Sequence, residues 1–227
     1  MALPNSFGQF FPDGNYVGWD EELAEYFDHK MPADQKALFE RPGHSSYARH
    51  VSEKFTNEPG LKRPGFPSFG PIAAHEAPKR FEAEKKYASL GSLIELNDRI
   101  LAVDESLKEV IERFEPGVHH FFPIEIIMPK KIIYPKQYFV MAIGQYLNSF
   151  SSERSDPASW RPDWQEYCLM DEGNMSGLAL SRQAFGNAHL WRERCISNEL
   201  VCFSDQLMSE ITRAGLRLPK CRKLKEV

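Results

Sequence analysis

Ile100-Leu101-Ala102-Val103-Asp104-Glu105-Ser106-Leu107-Lys108-Glu109-Val110-Ile111-Glu112-Arg113 has a counterpart 100 residues downstream in Leu200-Val201-Cys202-Phe203-Ser204-Asp205-Gln206-Leu207-Met208-Ser209-Glu210-Ile211-Thr212-Arg213. Each copy opens as an apolar run, meets a residue suited to cap a helix, Asp104 or Ser204, and continues as an amphipathic stretch. Leu107 and Ile111 lie four residues apart, as do Leu207 and Ile211, so each pair falls on one helical face and predicts a face turned to a core. The spacing predicts strand, cap and helix, twice. The first helix is expected from about Glu105 to Phe114, stopped by Pro116-Gly117, and the second is expected to end at Gly215, where a left-handed glycine is favoured. The period holds for this one unit, so it reads as a pseudo-symmetry and not as a solenoid.

Between the copies the pattern is that of strands. His119 to Ile127 alternates Phe121, Pro123 and Glu125 on one side with Phe122, Ile124 and Ile126 on the other, and Tyr138 to Tyr146 is a second apolar run. Pro129-Lys130-Lys131 and Pro135-Lys136 make a basic, turn-rich excursion between them. Residues 148–164 read as a polar loop carrying Trp160 and Trp164. Tyr167 to Met170, Gly177 to Ser181, Ala188 to Cys195 and Leu200 to Phe203 are short strand candidates. Strands clustered between two helices argue α+β: a mixed or antiparallel sheet with helices packed on one face, preceded by an irregular Pro/Gly-rich N-terminal portion.

That portion divides in two. From Asp20 to Phe39 the apolar residues Leu23, Tyr26, Phe27, Met31 and Leu38 keep helical spacing loosely, and Pro32 interrupts, which predicts two short helices or one kinked one. From Arg41 to Pro78, Pro42, Pro59, Pro64, Pro67, Pro71 and Pro78 alternate with Gly43, Gly60, Gly65 and Gly70, forbidding a regular element after residue 58 and predicting an extended arm. Phe66, Phe69 and Ile72 imply that the arm packs against something. The domain organisation expected is 1–86 as a helical segment and arm, 87–219 as an α+β domain, and 220–227 as a frayed basic tail.

The 227 residues, 42% hydrophobic and 26% charged, suffice for one large core or two unequal lobes. No run approaches the ~18 apolar residues of a membrane span. Met1 to Gly8 has neither a basic start nor an apolar stretch, so no secretory signal is expected and the chain is placed in the cytoplasm. Cys168, Cys195, Cys202 and Cys221 lack C-x-x-C spacing and read as free thiols. The net charge of −4 conceals an asymmetry: residues 1–60 hold ten acidic against five basic side chains, and residues 181–227 hold nine basic against five acidic. An acidic N-terminal face, built on Asp20, Glu21, Glu22 and Glu25, would steer a basic partner, although a solvated helix surface produces the same pattern.

Catalytic signals are weak. His119-His120 with Glu125 is the nearest approach to a cluster, but about 20 Å of strand separates His119 from Glu125, too far for a shared ligand. His189-Leu190-Trp191-Arg192 alternates as a strand does and sets a cation beside an aromatic, an arrangement that recognises acidic groups or buttresses a neighbour. No nucleophile elbow, phosphate loop, dinucleotide fingerprint or zinc motif is present, so no catalytic residue, metal or cofactor is assigned. Basic runs such as Lys220 to Lys225 are too short for a nucleic-acid stripe. Trp160 and Trp164 are candidate binding anchors or fold back onto the domain.

From about Gly91 to Leu218 the chain resembles an immunity-protein family encoded beside bacterial polymorphic toxins, the eleventh of that scheme and earlier known only as a domain of unknown function. The likeness rests on Ile100 to Phe114, on Glu115-Pro116-Gly117-Val118-His119-His120-Phe121-Phe122-Pro123-Ile124-Glu125, and on Gln137-Tyr138-Phe139-Val140-Met141. His189-Leu190-Trp191-Arg192, Phe203-Ser204-Asp205-Gln206-Leu207 and Ala214-Gly215-Leu216 complete it. The resemblance implies a non-enzymatic cytoplasmic protein that binds and neutralises a cognate secreted toxin through a protein interface. It brings no catalytic residues and leaves specificity to loops and to the N-terminal portion. A non-toxin adaptor or structural interaction protein is the alternative, and an unrecognised enzyme a third.

Overall fold

Both copies of the repeat fold as strand, cap and helix in the computed structural model, which describes residues 1–3, 10–39, 43–162, 168–196 and 200–227. In chain order the elements are β1 (Gly14–Tyr16), α1 (Trp19–Glu25) prolonged by a π-turn over Tyr26–Lys30, α2 (Ala33–Lys36), α3 (His44–Lys54), β2 (Arg80–Ala83), β3 (Leu93–Glu95), β4 (Leu101–Asp104) and α4 (Glu105–Phe114). There follow β5 (His120–Met128), β6 (Ile132–Ile133), β7 (Tyr138–Ala142), β8 (Tyr146–Leu147), β9 (Trp160–Pro162), β10 (Cys168–Met170) and β11 (Ala179–Leu180). The chain ends with α5 (Arg182–Phe185), β12 (Leu190–Glu193), β13 (Val201–Phe203), α6 (Asp205–Arg213) and β14 (Lys225–Glu226).

The caps form as their residue types require. Asp104 Oδ1 accepts from the Leu107 amide at 3.0 Å, and Ser204 Oγ accepts from the Leu207 amide at 3.1 Å. At the far end of α6, Gly215 has φ +67°, its amide donates to Thr212 O, and the Leu216 amide reaches back to Ile211 O, which is the paired closure of a Schellman turn. We expect Ser204→Ala and Asp104→Ala each to lower unfolding free energy by about 0.5–2 kcal/mol. Urea melts measure this, and midpoints identical to the parent would show that water replaces the cap at no cost.

The architecture is α+β on a mixed sheet. Seven described strands make the large sheet, in the order β1-β2-β5-β7-β4-β3 with β6 pairing β5; β2 and β5 run parallel and the other pairs antiparallel. A second sheet, β13-β12-β8, carries the downstream copy of the repeat. The large sheet curls until its two edges meet: Asn97 Nδ2 donates to Gly14 O at 2.9 Å, and Tyr16 Oη donates to Asn97 O at 2.9 Å.

Side-chain alternation divides the large sheet's apolar residues between two cores. Leu101, Val103 and Met141 face the repeat helices, joining Leu107, Ile111, Leu207 and Ile211 in one cluster, so α4 and α6 pack on one face as their periodicity predicts. Phe81, Ile94, Ala102, Ile124, Ile126 and Val140 face the other way and meet a second helical layer, in which the helical segment expected from Asp20 supplies Trp19, Leu23 and Phe27 of α1 and its π-turn and the unexpected α3 region supplies Tyr47, Val51 and Phe55. A third cluster gathers Met175, Phe185, Trp191, Leu200, Cys202 and Leu224.

Three local expectations differ from the structure. The arm expected from Arg41 to Pro78 contains an eleven-residue helix, α3, packed through Tyr47, His50 and Val51; only the part beyond residue 58 lacks a regular element. Phe69 is buried and Phe66 and Ile72 pack on the core, as the arm's aromatic content implies. Residues 1–86 supply β1, β2 and half the principal core, so the expected boundary at 86 falls between two strands of one sheet. The basic C-terminus is docked instead of frayed: β14 pairs in parallel with β11, Leu224 is buried, and Arg222 exchanges backbone hydrogen bonds with Ala2.

Candidate interaction surface

The acidic candidates lie together on the outer side of α1. Trp19 and Leu23 point into the core, and the helical period therefore turns Asp20, Glu21, Glu22 and Glu25 to solvent. Two of the four already have partners: Glu22 meets Lys79 at 2.6 Å, and Glu25 lies 3.7 Å from His29 and 3.9 Å from Lys30. Asp20 and Glu21 have no ion pair among the described residues, so the face keeps a net negative field. Trp160, by contrast, is half-buried at the start of β9, its ring 5.4 Å from that of Phe150 and packed on the third core cluster. Trp164 lies outside the described residues.

The histidines flagged from sequence divide between a buried network and a cavity wall. His119 does not approach Glu125; its Nε2 donates to Glu115 Oε2 at 2.7 Å, and its Nδ1 accepts from the Gly144 amide at 3.2 Å, so the ring is in the neutral Nε2–H form. Glu115 also accepts from Gln145 Nε2 at 2.6 Å, the His189 amide at 2.6 Å and the Leu190 amide at 3.0 Å. One carboxylate at the end of α4 thereby ties together α4, the passage from β7 to β8, and β12. Burial opposes its ionisation, and the hydrogen bonds from His119, the His189 amide and Gln145 outweigh that cost, holding its pKa below the ordinary carboxyl value. Gly144 is required here: a Cβ would lie 1.9 Å from Val118 O.

A second buried carboxylate, Glu193, is 1% exposed and accepts from the Ser149 amide at 2.9 Å and the Cys195 amide at 3.2 Å. There burial prevails over the hydrogen bonds and raises the pKa. Trp191 and Arg192 are buried as well, so this strand lies inside the fold and presents no cation to solvent. The sequence missed both carboxylates. Glu115 is detectable only as the residue four before His119 across Pro116-Gly117, and Glu193 carries no local signal.

A cavity of about 390 Å³ lies between α5, the start of α6 and the C-terminal strand, lined among others by Arg182, Phe185, His189, Ser204, Asp205 and Lys223. His189 Nδ1 and Ser204 Oγ are 2.8 Å apart in its wall. That hydroxyl is already the α6 cap, and no carboxylate orients the other imidazole nitrogen among the described residues, so the pair lacks the third member that activates a serine. No grouping of three or more His, Cys, Asp or Glu with metal-holding geometry occurs among the described residues. No described helix is long and apolar enough to cross a membrane.

Exposed large apolar side chains occur singly at Val17, Leu38 and Val227 and as a sequence pair at one hairpin. Ile132 and Ile133, 43% and 59% exposed, sit side by side on β6 just after Lys130 and Lys131, which both take positive φ at the hairpin turn. No curated protein matches the chain. The model of the Immunity protein family (Imm11) matches residues 27–225, spanning α3, every strand of the large sheet except β1, both repeat helices and the second sheet, and the chain therefore belongs to that immunity protein family.

Proposed function

We propose that this protein binds a cognate bacterial toxin domain in the cytoplasm and neutralises it through a protein interface, without turnover. The family match over residues 27–225 carries the reading. Burial is consistent with it: Glu115, His119, Glu193 and Arg192 lie inside the fold, and the first three bond to neighbouring elements there. Co-purification with the product of the adjacent toxin gene, together with survival of cells expressing both, tests it. Survival without a complex would point to an adaptor or enzymatic route instead.

The acidic face of α1 is proposed to accelerate encounter with a basic toxin. Changing Asp20, Glu21, Glu22 and Glu25 to Lys should slow association by about tenfold at low salt, and by less at physiological ionic strength, because exposed charges act over about a Debye length. The melting temperature should change little, since exposed pairs such as Glu22–Lys79 contribute weakly. Surface plasmon resonance at two salt concentrations reads this, and an on-rate unaltered at both would remove α1 from the encounter surface.

A further inference from the structure

Residues 59–76 of the arm fold back on α3 as a closed loop. The Gly60 amide donates to Phe69 O at 2.7 Å and the Phe69 amide donates to Leu61 O at 3.1 Å, so the two limbs of the loop hold each other. Its seat on the helix is His50. That imidazole is 3% exposed and lies nearly parallel to the rings of Phe69 and Phe66, with centroids 4.9 and 6.1 Å away, while Phe39 meets it edge-on at 5.5 Å. A leucine would fill much of this space with no polar atom. The histidine instead leaves Nδ1 buried without a hydrogen-bond partner.

A neutral ring suits this setting and a charged one does not. In neutral imidazole Nδ1 can be the nitrogen that carries no proton, whereas in the cation both nitrogens are donors, and Nδ1–H would be buried with no acceptor. The aromatic neighbours offer a cation some attraction, but they replace neither the acceptor nor the lost water. Charged neighbours leave the balance where burial puts it. Lys54, one turn further along α3, opposes protonation, and Glu76, at the end of the arm, favours it. These two bond each other at 2.6 Å, and Glu76 also accepts from Tyr47 Oη at 3.1 Å and from the Ala73 amide at 2.7 Å. Glu53, on the same helix, pairs with Arg49 at 3.2 Å and Arg63 at 3.0 Å. Burial thus holds the His50 pKa at about 4, below the ordinary 6.5.

A second histidine fastens the far end of the arm. The His75 ring stacks on Tyr26 at 3.7 Å, and its Nε2 lies 2.8 Å from Tyr47 Oη. Burial lowers its pKa as well, with Glu76 opposing the shift and Lys54 and Lys30 adding to it.

We propose that residues 59–76 are a pH-sensitive strap, seated on α3 while His50 is neutral and released as His50 gains a proton. Release returns the imidazole to water, where its pKa is ordinary. The seated form therefore binds the proton more weakly than the released form, and release is favoured progressively as pH falls from 6.5 toward about 4. The helix itself stays in place, because Val51 and Phe55 anchor it in the principal core. What the strap covers at neutral pH is aromatic surface on Phe39, Phe66 and Phe69, and acid opens it.

Hydrogen exchange on the full chain at pH 7 and pH 5, with rates corrected for their intrinsic pH dependence, reads local opening. In peptides from residues 59–76 the opening constant should rise about twentyfold between the two, while peptides from α4 and α6 keep theirs. His50→Leu should cut the rise to about threefold or less, His75 being the titrating fastening that remains. In the parent, the His50 ring proton signal should titrate with a midpoint near 4. Exchange in α4 and α6 that rises in step with the arm would mean that acid loosens the whole fold, and would overturn the strap. A His50 midpoint near 6.5, or a His50→Leu protein with the parent's pH response, would overturn it too. Should His50→Leu fail to fold, the parent's exchange and titration decide alone.

Discussion

Glu115→Ala lowers the unfolding free energy by about 3–5 kcal/mol, the expected cost of removing one member of a buried, fully bonded charged group. The magnitude follows from what is left behind. Gln145 Nε2, the amides of His189 and Leu190, and His119 Nε2 all donate to this carboxylate, and its loss strands buried donors in a space water cannot fill without rearrangement. Glu115→Gln keeps the shape but turns an amide NH2 toward donors, so a loss of about 1–3 kcal/mol is expected. The folded-state pKa of Glu115 is depressed, so its contribution is fully present above the ordinary carboxyl pKa and is lost as pH falls through the lower folded value. Parent and Glu115→Gln should therefore converge in acid. Denaturant melts from neutral pH down to about 3 provide the measurement; a constant gap between the two proteins over that range would mean that the carboxylate's charge plays no part.

The distribution of these features explains what sequence alone reveals. The repeat is legible because its signals are local: a cap, two aliphatics four residues apart and a terminal glycine all fall within one stretch of chain. Helix α3 lacks those signals. Its buried face is Tyr47, His50 and Val51, with a single aliphatic residue, it follows Gly43 without a side-chain cap, and prolines crowd the segment beyond it. The docking of β14 depends on two residues pairing with Ala179 and Leu180, too short a run for any period to register. Period-two alternation along β5 correctly separates Phe121, Pro123 and Glu125 from Phe122, Ile124 and Ile126. Which helical layer each side meets is decided by tertiary packing. The Glu115 network is likewise assembled from residues up to 75 positions apart. The acidic run of α1 was visible as charge, but its pairing with Lys79 joins residues 57 positions apart.

Leu207→Ala should cost about 2–5 kcal/mol, and Leu107→Ala a similar amount, because each side chain has no exposed surface and truncation leaves a cavity as well as lost transfer energy. The two leucines occupy equivalent positions of the repeat, the third residue of each helix, whose amide donates to the cap, and both belong to the cluster formed by α4, α6 and the overlying strands. Since α4 and α6 touch each other, the cavities share walls, and the double variant should depart from additivity by about 0.5–3 kcal/mol. A negative control is Glu109→Ala on the exposed side of α4, which should remain within about 0.5 kcal/mol of the parent. Urea midpoints for the parent and the four variants decide the matter. Strictly additive losses would mean that each helix is held by its own strand alone, so that the pseudo-symmetric units are joined through Glu115 and not through a common core. A parent-like Leu207→Ala would refute the buried amphipathic face from which the fold was first read.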